Sequence, residues 1–316
     1  MASNTSLVVD ALIDNVDQVI RGKRAQIRLA LCCLLTEGHL LLDDVPGTGK
    51  TSLAKAIANS IAGGWKRVQF TPDLLPTDIT GVMVYDQRSG TFAFREGPVF
   101  TNVMIGDEIN RGSPKTQSAL LEVMEERNVT SDGTTRPVPR PFFVIATQNP
   151  LDSQGTFPLP DVQLDRFTMR LSLGYADIDT EVSILENFSR HRRDDELEPV
   201  TDTAELDAII SEIDDIVVAP SILDYIVKIA AATRQHPDLR LGVSTRGTLA
   251  LLRVARAFAA TGDRDFVTPD DVKALIAPVF AHRVQLTAEA DLRGVTVEVL
   301  MAEITDTIAV PRDDGA

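Results

Sequence analysis

Residues 44–51 read Asp-Val-Pro-Gly-Thr-Gly-Lys-Thr and lie between an apolar run at 39–42 and a segment with helical spacing. Two glycines let such a loop curl tightly, so that its backbone N–H groups point inward at a bound anion. The start of the following helix adds the positive end of its dipole. Lys50 supplies a positive charge for β- and γ-phosphate oxygens, and Thr51 offers a hydroxyl group to Mg²⁺. The strand–loop–helix context therefore predicts a site for a nucleoside triphosphate.

This loop departs from the strict phosphate-binding pattern at one position, because Asp44 stands where that pattern has glycine. We expect the Asp44 carboxylate to point away from the phosphates, since two anions repel each other. A plain glycine turn would explain the two glycines but not the Lys-Thr pair that follows them. The residues predicted to contact the nucleotide are Val45, Pro46, Gly47, Thr48, Gly49, Lys50, Thr51 and Ser52.

The sequence around the loop alternates strand-like and helix-like segments. Short apolar runs without polar alternation are typical of strands that are buried on both faces of a parallel sheet. Apolar residues three or four positions apart predict the helices between them. The predicted strands are 39–42, 103–105 and 142–146, and the predicted helices are 6–20, 24–35, 52–62 and 114–125. This pattern predicts an α/β fold in which helices cover both faces of a parallel sheet, a three-layer αβα domain.

The rest of the chain adds hairpins and a helical region. Turn signals at Ser89-Gly90 and Asp132-Gly133 predict β-hairpins at 84–94 and 128–136. After Leu173 the strand signals vanish, and helical spacing takes over. The helices predicted there are 179–188, 203–213, 221–234, 245–260 and 269–286. We therefore expect an all-α second domain, 176–316, after an α/β domain, 1–175.

Polar side chains follow two of the predicted strands directly. Asp107 and Glu108 come after the run 103–105, and Asn149 comes after the run 142–146. Ligands of α/β proteins bind where the carboxyl ends of parallel strands meet. Asp107 is suited to hold Mg²⁺ through water, and Glu108 to orient or deprotonate an attacking water. Asn149 is suited to orient the same water and sense the γ-phosphate, although Asn-Pro is also a common turn dipeptide.

Charge and hydropathy narrow the classes of partner. The net charge of −15 is uneven, with 17 basic and 19 acidic residues in 1–175 but 14 and 27 in 176–316. Nucleic-acid binding depends on Lys and Arg that neutralise phosphates, so this balance argues against it.

No apolar run approaches the roughly 18 residues of a membrane span, and the first residues lack the order of a signal peptide. Adjacent Cys32 and Cys33 are expected to be reduced core thiols. We therefore expect a cytoplasmic protein.

Five motifs of the chain bear comparison with a known family: Gly47-Thr48-Gly49-Lys50-Thr51, Asp107-Glu108-Ile109-Asn110-Arg111, Ser113-Pro114-Lys115-Thr116-Gln117, Leu164-Asp165-Arg166-Phe167 and Gly242-Val243-Ser244-Thr245-Arg246. Together they resemble the MoxR family of AAA+ ATPases, over about residues 19–286. The segment 71–100 is similar to that family's inserted helix and hairpin. The resemblance implies a P-loop NTPase domain followed by a smaller helical lid domain, with ATP and Mg²⁺ as cofactors.

The same resemblance implies roles for individual residues. Asn149 would be the sensor of the γ-phosphate, and Gly22 would lie in the segment that lines the adenine. Arg166 would be an arginine finger donated to the ATP of a neighbouring subunit. Arg246 would be the lid arginine that contacts the γ-phosphate and couples hydrolysis to lid movement. Two alternatives stay open: Arg166 pairing only with a neighbouring aspartate, and Arg246 as a solvated residue of its helix.

The function implied by the resemblance is ATP-driven, chaperone-like remodelling, activation or assembly of protein partners by a homo-oligomeric, hexameric ring. A von Willebrand factor A-domain protein is the partner type that the resemblance suggests. Three alternatives are a helicase-like nucleic-acid motor, the ATPase subunit of a metal chelatase, and a scaffold that binds ATP without hydrolysing it. The hairpin 128–136 offers a motor only Arg136 against Asp132, the long insertions of chelatases are not seen, and Glu108 argues against the scaffold.

Overall fold

The computed structural model describes residues 3–88, 90–150, 155–189 and 197–311. Helices and strands alternate in its first part. The helices there are α1 (Asn4–Asp17), α2 (Arg24–Leu35), α3 (Lys50–Asn59), α4 (Pro76–Thr80), α5 (Pro114–Glu126) and α6 (Asp161–Leu164). The strands there are β1 (Leu40–Asp43), β2 (Ile61–Ala62), β3 (Trp65–Gln69), β4 (Gly81–Asp86), β5 (Thr91–Glu96), β6 (Val103–Asp107), β7 (Asn128–Ser131), β8 (Thr134–Pro137), β9 (Phe143–Gln148) and β10 (Met169–Leu171).

The second part of the chain is mostly helical. Its helices are α7 (Ile178–Ser189), α8 (Thr203–Asp214), α9 (Pro220–Gln235), α10 (Thr245–Ala260), α11 (Pro269–Phe280), α12 (Ala288–Leu292) and α13 (Val297–Thr307). Its short strands are β11 (Thr201–Asp202), β12 (Leu239–Leu241) and β13 (Gln285–Leu286). The predicted change from alternating segments to helices is therefore confirmed.

Five strands of the described residues form one parallel sheet, in the order β10, β1, β9, β6, β3. Strand β1 lies inside the sheet, since its Leu40 lies opposite Met169 of β10 on one side and Ile145 of β9 on the other. All residues of the interior strand β6 are buried, which explains its continuous apolar sequence. The carboxyl ends of β1, β6 and β9 meet at one edge of the sheet.

Apolar layers cover both faces of this sheet. Leu40 and Leu42 pack into one buried cluster together with residues of α1, α2 and α3, whereas Leu41 packs into the other with residues of α5. Each of the three leucines is fully buried, which stabilises the fold by about 1.5–3 kcal/mol per side chain. This arrangement confirms the predicted three-layer αβα architecture.

The helical part packs against the first of these clusters. Leu251 of α10 and Leu275 of α11 belong to the same buried cluster as Leu31 and Leu35 of α2. Cys32 and Cys33 are free and buried there, as the sequence predicts. Both parts of the chain thus share one continuous apolar core, and the predicted division at residues 175 and 176 stays a prediction.

Three predicted helices end earlier than expected, and the first of them, predicted to reach residue 20, ends at Asp17. The helix predicted to reach residue 62 ends at Asn59, because Ile61–Ala62 pairs in parallel with Thr201–Asp202. The helix predicted to reach residue 286 ends at Phe280, and Gln285–Leu286 pairs antiparallel with Leu239–Leu241. Both two-residue strands continue an apolar spacing that also fits a helix, so periodicity alone did not separate the two structures.

Two strands of the main sheet were not predicted. Strand β3 lies at the edge of the sheet and exposes Lys66, Arg67 and Gln69, so it lacks the apolar run of a buried strand. Strand β10, at the other edge, has three residues with Arg170 in the middle. Edge position and shortness removed the signal on which the prediction depended.

Both predicted hairpins are present. Strand β4 pairs antiparallel with β5, and β7 with β8. Asp132 and Gly133 both have positive φ angles, as a tight two-residue hairpin turn requires. In the predicted turn at Ser89-Gly90, Ser89 lies outside the described residues. No helix in the described part of the chain combines the length and the apolar character needed to cross a membrane.

Candidate active site

The loop between β1 and α3 forms one wall of a cavity at the carboxyl edge of the sheet. Gly47 and Gly49 have φ angles of +84° and +88°, which residues with a Cβ atom rarely adopt. Helix α3 begins directly at Lys50, so the first N–H groups of the helix face the loop. The cavity has a volume of about 420 Å³ and is lined by Pro46, Gly47, Thr48, Gly49, Lys50, Thr51, Ser52, Arg67, Gln69, Asp107, Glu108, Thr147, Gln148 and Asn149.

Lys50 extends its side chain back along the loop. Its Nζ donates hydrogen bonds to the carbonyl oxygens of Asp44 and, at 2.8 Å, of Val45. Partial burial lowers the pKa of the Lys50 ammonium, while the carboxylates of Asp44 and Asp43 oppose this shift. The ammonium thus stands in the cavity wall, where an anion would meet both its charge and the helix start.

Asp44 directs its carboxylate away from the cavity. Its Oδ2 accepts hydrogen bonds from the backbone N–H groups of Leu173 and Gly174, at 2.8 and 2.7 Å, and from the Ser172 hydroxyl. Burial by itself raises the pKa of Asp44, but these donors and the Val45 N–H outweigh it, and the pKa lies below its ordinary value. The predicted orientation is confirmed, and its cause is an anchor between the loop and the chain after β10.

Asp107 ends β6 and is almost completely buried. Its Oδ1 accepts hydrogen bonds from the hydroxyl groups of Thr51, at 3.0 Å, and Thr147, at 3.2 Å. Its Oδ2 pairs with Arg67 Nε at 2.6 Å. Carboxylate and hydroxyl oxygens are the hard donors that Mg²⁺ prefers. The adjacent oxygens of Thr51 and Asp107 are therefore a donor set that fits a magnesium ion.

Glu108 reaches into the same cavity from a strained backbone position. Its φ angle is +54°, a left-handed conformation that costs a residue with a side chain about 1–3 kcal/mol. Its Oε2 accepts hydrogen bonds from Gln69 Nε2 at 2.8 Å and from Arg111 Nη1 at 3.2 Å. Its backbone N–H donates to the Thr147 hydroxyl. These contacts fix the direction of a carboxylate that remains 40% exposed.

Besides Thr147 and Gln148, at the end of β9, sequence reasoning missed Arg67 and Gln69 of this site. Both lie on the edge strand β3 and contact the two acidic residues, Arg67 at Asp107 and Gln69 at Glu108. They were missed together because the strand that carries them was missed. Polar residues at positions 66, 67 and 69 carry no pattern that separates a strand from a loop.

Asn149 and the residue Ile20, two positions before Gly22, approach the loop from two other segments. Asn149 follows β9 and lines the cavity, and its carbonyl oxygen accepts a hydrogen bond from Asn110 at 3.3 Å. Gly22 does not line this cavity. It turns the chain with a φ angle of +72°, and a Cβ atom there would lie 3.1 Å from Thr180 Oγ1 of α7. Its neighbour Ile20 approaches Gly49, since the Ile20 Cδ1 atom lies 3.5 Å from the place of a Cβ at Gly49.

The two remaining predicted site residues, Arg166 and Arg246, lie away from the loop. Both pair with Glu125, near the end of α5, and both line a second cavity of about 520 Å³. That cavity also includes Gly38 and Thr168, which precede β1 and β10, so it lies at the amino edge of the strands. The structure thus brings Arg166 and Arg246 together but not to the Lys50 cavity of the same chain.

Comparison with known proteins agrees with this architecture. The family model for ATPases associated with various cellular activities (AAA) matches residues 39–169, and the AAA lid domain model matches residues 231–304. The chaperone MoxR1 of Mycobacterium tuberculosis is 36% identical over 313 residues, 96% of this chain and 82% of the relative. The chain belongs to the MoxR family of AAA+ ATPases.

Two further similarities extend over nearly the whole MoxR-family chain. YeaC of Bacillus subtilis, an uncharacterized protein, is 45% identical over 299 residues, 95% of this chain and 93% of YeaC. The crystal structure of a proposed ATPase from Cytophaga hutchinsonii superposes with a TM-score of 0.90 and 35% identity, covering 98% of this chain and 96% of the other. The predicted family and the predicted order of an αβα domain and a lid are confirmed. Neither the nucleic-acid motor nor the metal chelatase is favoured.

Proposed function

We propose that this MoxR-family protein hydrolyses ATP with Mg²⁺ in the cavity around Lys50. The observation that carries the proposal is the convergence of four groups on one 420 Å³ cavity: an ammonium, a hydroxyl and two carboxylates, from Lys50, Thr51, Asp107 and Glu108. Phosphoryl transfer to water needs a cation, metal ligands and a carboxylate that orients or deprotonates the water. Membership of the AAA+ ATPase family supports this assignment.

The phosphates are bound by the loop and the start of α3. Backbone N–H groups of Gly47 to Gly49 donate to phosphate oxygens, and Lys50 exchanges its two carbonyl acceptors for them. Thr51 and Asp107 would hold Mg²⁺, which supplies positive charge to the phosphates when bound. The anchoring of Asp44 to residues 172–174 keeps its negative charge out of this arrangement.

The attacking water is oriented by Glu108. Because Gln69 and Arg111 share the Glu108 Oε2 atom, the carboxylate has a fixed direction, and its Oε1, which accepts no hydrogen bond from the described residues, can accept a proton from water. Asn149 lies at the same sheet edge and contacts the γ-phosphate through its amide. Arg67 neutralises Asp107 and lies within reach of the phosphates.

Arg166 and Arg246 act on the nucleotide of a neighbouring subunit. Both lie at the sheet edge opposite their own Lys50 cavity, so a ring that brings this edge onto the next subunit's nucleotide explains why two arginines converge there. We extend the predicted trans role of Arg166 to Arg246, because its Glu125 contact places it beside Arg166. A ring of six subunits is what the family resemblance implies.

Loss of nucleotide binding in Lys50→Ala tests the phosphate assignment. We expect this variant to lose ATP binding and phosphate release, because the loop then presents no cation to the β- and γ-phosphates. Lys55→Ala, on the same helix, removes the same charge outside the cavity and is expected to bind like the natural chain. Isothermal titration with ATP and Mg²⁺ measures both. Undiminished ATP binding by Lys50→Ala would contradict the assignment.

We propose a protein, rather than a nucleic acid, as the client. The β4–β5 hairpin exposes apolar side chains, with Tyr85 52% and Phe92 66% exposed and in ring contact with each other. The basic residue of the other hairpin, Arg136, stacks over the Phe94 ring at 4.2 Å and donates to backbone carbonyls, so it is engaged within the protein. An exposed apolar pair fits a polypeptide better than a phosphate backbone.

A stalled variant identifies this client. Glu108→Gln is expected to keep ATP bound without hydrolysing it and so to retain the client in a pull-down from cells, a von Willebrand factor A-domain protein being the type suggested by the family. The same bait with Phe92→Ser is expected to retain less of it. Recovery of nucleic acid, or stimulation of ATP hydrolysis by it, would favour a motor instead.

A further inference from the structure

Glu125 joins two arginines that come from distant parts of the chain. Its Oε2 lies 3.1 Å from Arg166 Nη2, and its Oε1 accepts a hydrogen bond from Arg246 Nη2. Arg166 lies just before β10, and Arg246 lies in the first turn of α10. One carboxylate therefore bridges the two guanidinium groups, each through a different oxygen.

The cavity around this carboxylate carries an excess of positive charge. Its lining contains more guanidinium groups than carboxylates, namely Arg127, Arg166, Arg246, Arg253 and Arg283 against Glu37, Glu125 and Asp165. Two of the carboxylates have other commitments, since Glu37 pairs with Arg127 and Arg140, and Asp165 with Arg283. Glu125 is thus the anion that Arg166 and Arg246 share, in a chain whose net charge is −15.

The backbone around both arginines is fixed without Glu125. The buried Arg283 side chain donates from Nε to Asp165 Oδ1 at 2.7 Å and from Nη2 to the carbonyl oxygen of Phe167 at 2.7 Å. Ser244, which caps α10, donates to Asp165 Oδ2 at 3.1 Å. Residues next to Arg166 and next to Arg246 are therefore tied to each other. The Glu125 side chain, 33% exposed, contacts their guanidinium ends.

We propose that Glu125 is a positioning residue that holds Arg166 and Arg246 together at the place which the terminal phosphate of a neighbour's nucleotide takes in the ring. This rests on the proposed function, in which the two arginines act between subunits. A carboxylate and a phosphate are alternative anions for the same guanidinium forks. Glu125 therefore occupies both guanidinium groups before assembly and competes with the incoming phosphate for them.

Removal of the Glu125 charge tests the competition. In a Glu108→Gln background, which is expected to preserve ATP, Glu125→Gln should lower the protein concentration for half-maximal ATP-dependent self-association by about two- to fivefold, the size of a partly exposed ion pair. Glu303→Gln, at an exposed position of α13 that lines neither cavity, makes the same charge change and should leave the midpoint unmoved. Glu125→Asp, which keeps the anion, should behave like the parent. Sedimentation velocity measures all four.

If the effect of Glu125→Gln depends on the two arginines, it does not come from general charge repulsion between subunits or from a damaged fold. With Arg166→Ala and Arg246→Ala also present, Glu125→Gln should produce no further shift, since its partners are gone. The proposal would be overturned by an unchanged or higher midpoint in Glu125→Gln, or by a shift that persists in the double-alanine chain. Neither result would contradict the proposed ATPase function. If the Glu108→Gln parent does not self-associate in the presence of ATP, the proposal of a shared site is overturned, and the role of Glu125 with it.

Discussion

Asp44 brings a carboxylate into a phosphate-binding loop and directs it out of the cavity. Three donors of residues 172–174 hold its Oδ2 atom, so the acid fastens the loop to the chain that follows β10. In the sequence motif, this residue is only a departure from glycine. In the structure, it anchors the loop to residues about 130 positions away, a contact that no local pattern predicts.

His39 gives the fold a pH dependence. It is buried, with Nδ1 accepting from the Val144 N–H at 3.1 Å and Nε2 donating to the Met124 carbonyl oxygen at 3.0 Å, so it is held neutral. Burial lowers the pKa of His39 to about 4, against the Met124 hydrogen bond, which raises it. Between pH 6.5 and 4 the unfolded chain binds a proton that the folded chain does not. Stability from this residue is therefore present above pH 6.5 and lost on acidification, up to about 3 kcal/mol.

The pH slope of unfolding in His39→Asn checks this prediction. Asparagine keeps an acceptor for the Val144 N–H but does not titrate. The free energy of unfolding, measured in urea at several pH values between 4 and 6.5, should fall less steeply with acidification than in the natural chain, by up to one proton. His282, also buried with a lowered pKa, contributes with the same sign in both chains. Equal slopes would refute the assignment to His39.

At the scale of elements, the start of α11 shows local sequence determining structure. Thr268 caps the helix, its hydroxyl accepting from the Asp271 N–H while the Asp271 carboxylate accepts from the Thr268 N–H at 2.8 Å. Pro269 occupies the first helical position. The sequence predicts this start because each residue acts on groups at most three positions away.

Thr268→Ala should destabilise the chain by about 1 kcal/mol, since it leaves an N–H group of the first turn without its acceptor. Urea unfolding followed by circular dichroism should show a lower midpoint at unchanged slope. Thr77→Ala, at an exposed helical position, is the matched control and should move the midpoint little. A loss as small in Thr268→Ala as in the control would show that the cap contributes nothing.

Elements whose signal lies in packing were predicted less well. Apolar runs predict buried strands such as β6 and β9, and the helical spacing of apolar residues predicts the lid helices. Strand β3 is recognised only by its parallel pairing with β6, from Trp65 opposite Val103 to Gln69 opposite Asp107. That pairing brings Arg67 and Gln69 to the acidic residues, so a missed edge strand concealed two members of the site.

At the scale of the whole molecule, two cavities lie at opposite ends of the strands of one sheet, one at the carboxyl ends and one at the amino ends. The first holds Lys50 and Glu108, and the second holds Arg166 and Arg246. For the first, the sequence indicated the glycine loop and the acidic pair, which follow strand ends, but not Arg67 and Gln69 on the edge strand. It did not predict that Arg246 lies beside Arg166, because that placement depends on the contact between Ser244 and Asp165, which are 79 positions apart. Two incomplete half-sites are the molecular reason for proposing a ring.

Complementation between two inactive variants tests this account most directly. Arg166→Ala keeps the Lys50 cavity and Glu108, and Glu108→Gln keeps the arginines, so neither alone should release phosphate at more than a small fraction of the natural rate. In a mixture, an Arg166→Ala cavity that faces the intact Arg166 of a Glu108→Gln neighbour is complete. We predict that steady-state phosphate release from the equimolar mixture clearly exceeds the sum of the two variants. A mixture no more active than that sum, under conditions where the two associate, would contradict the shared site.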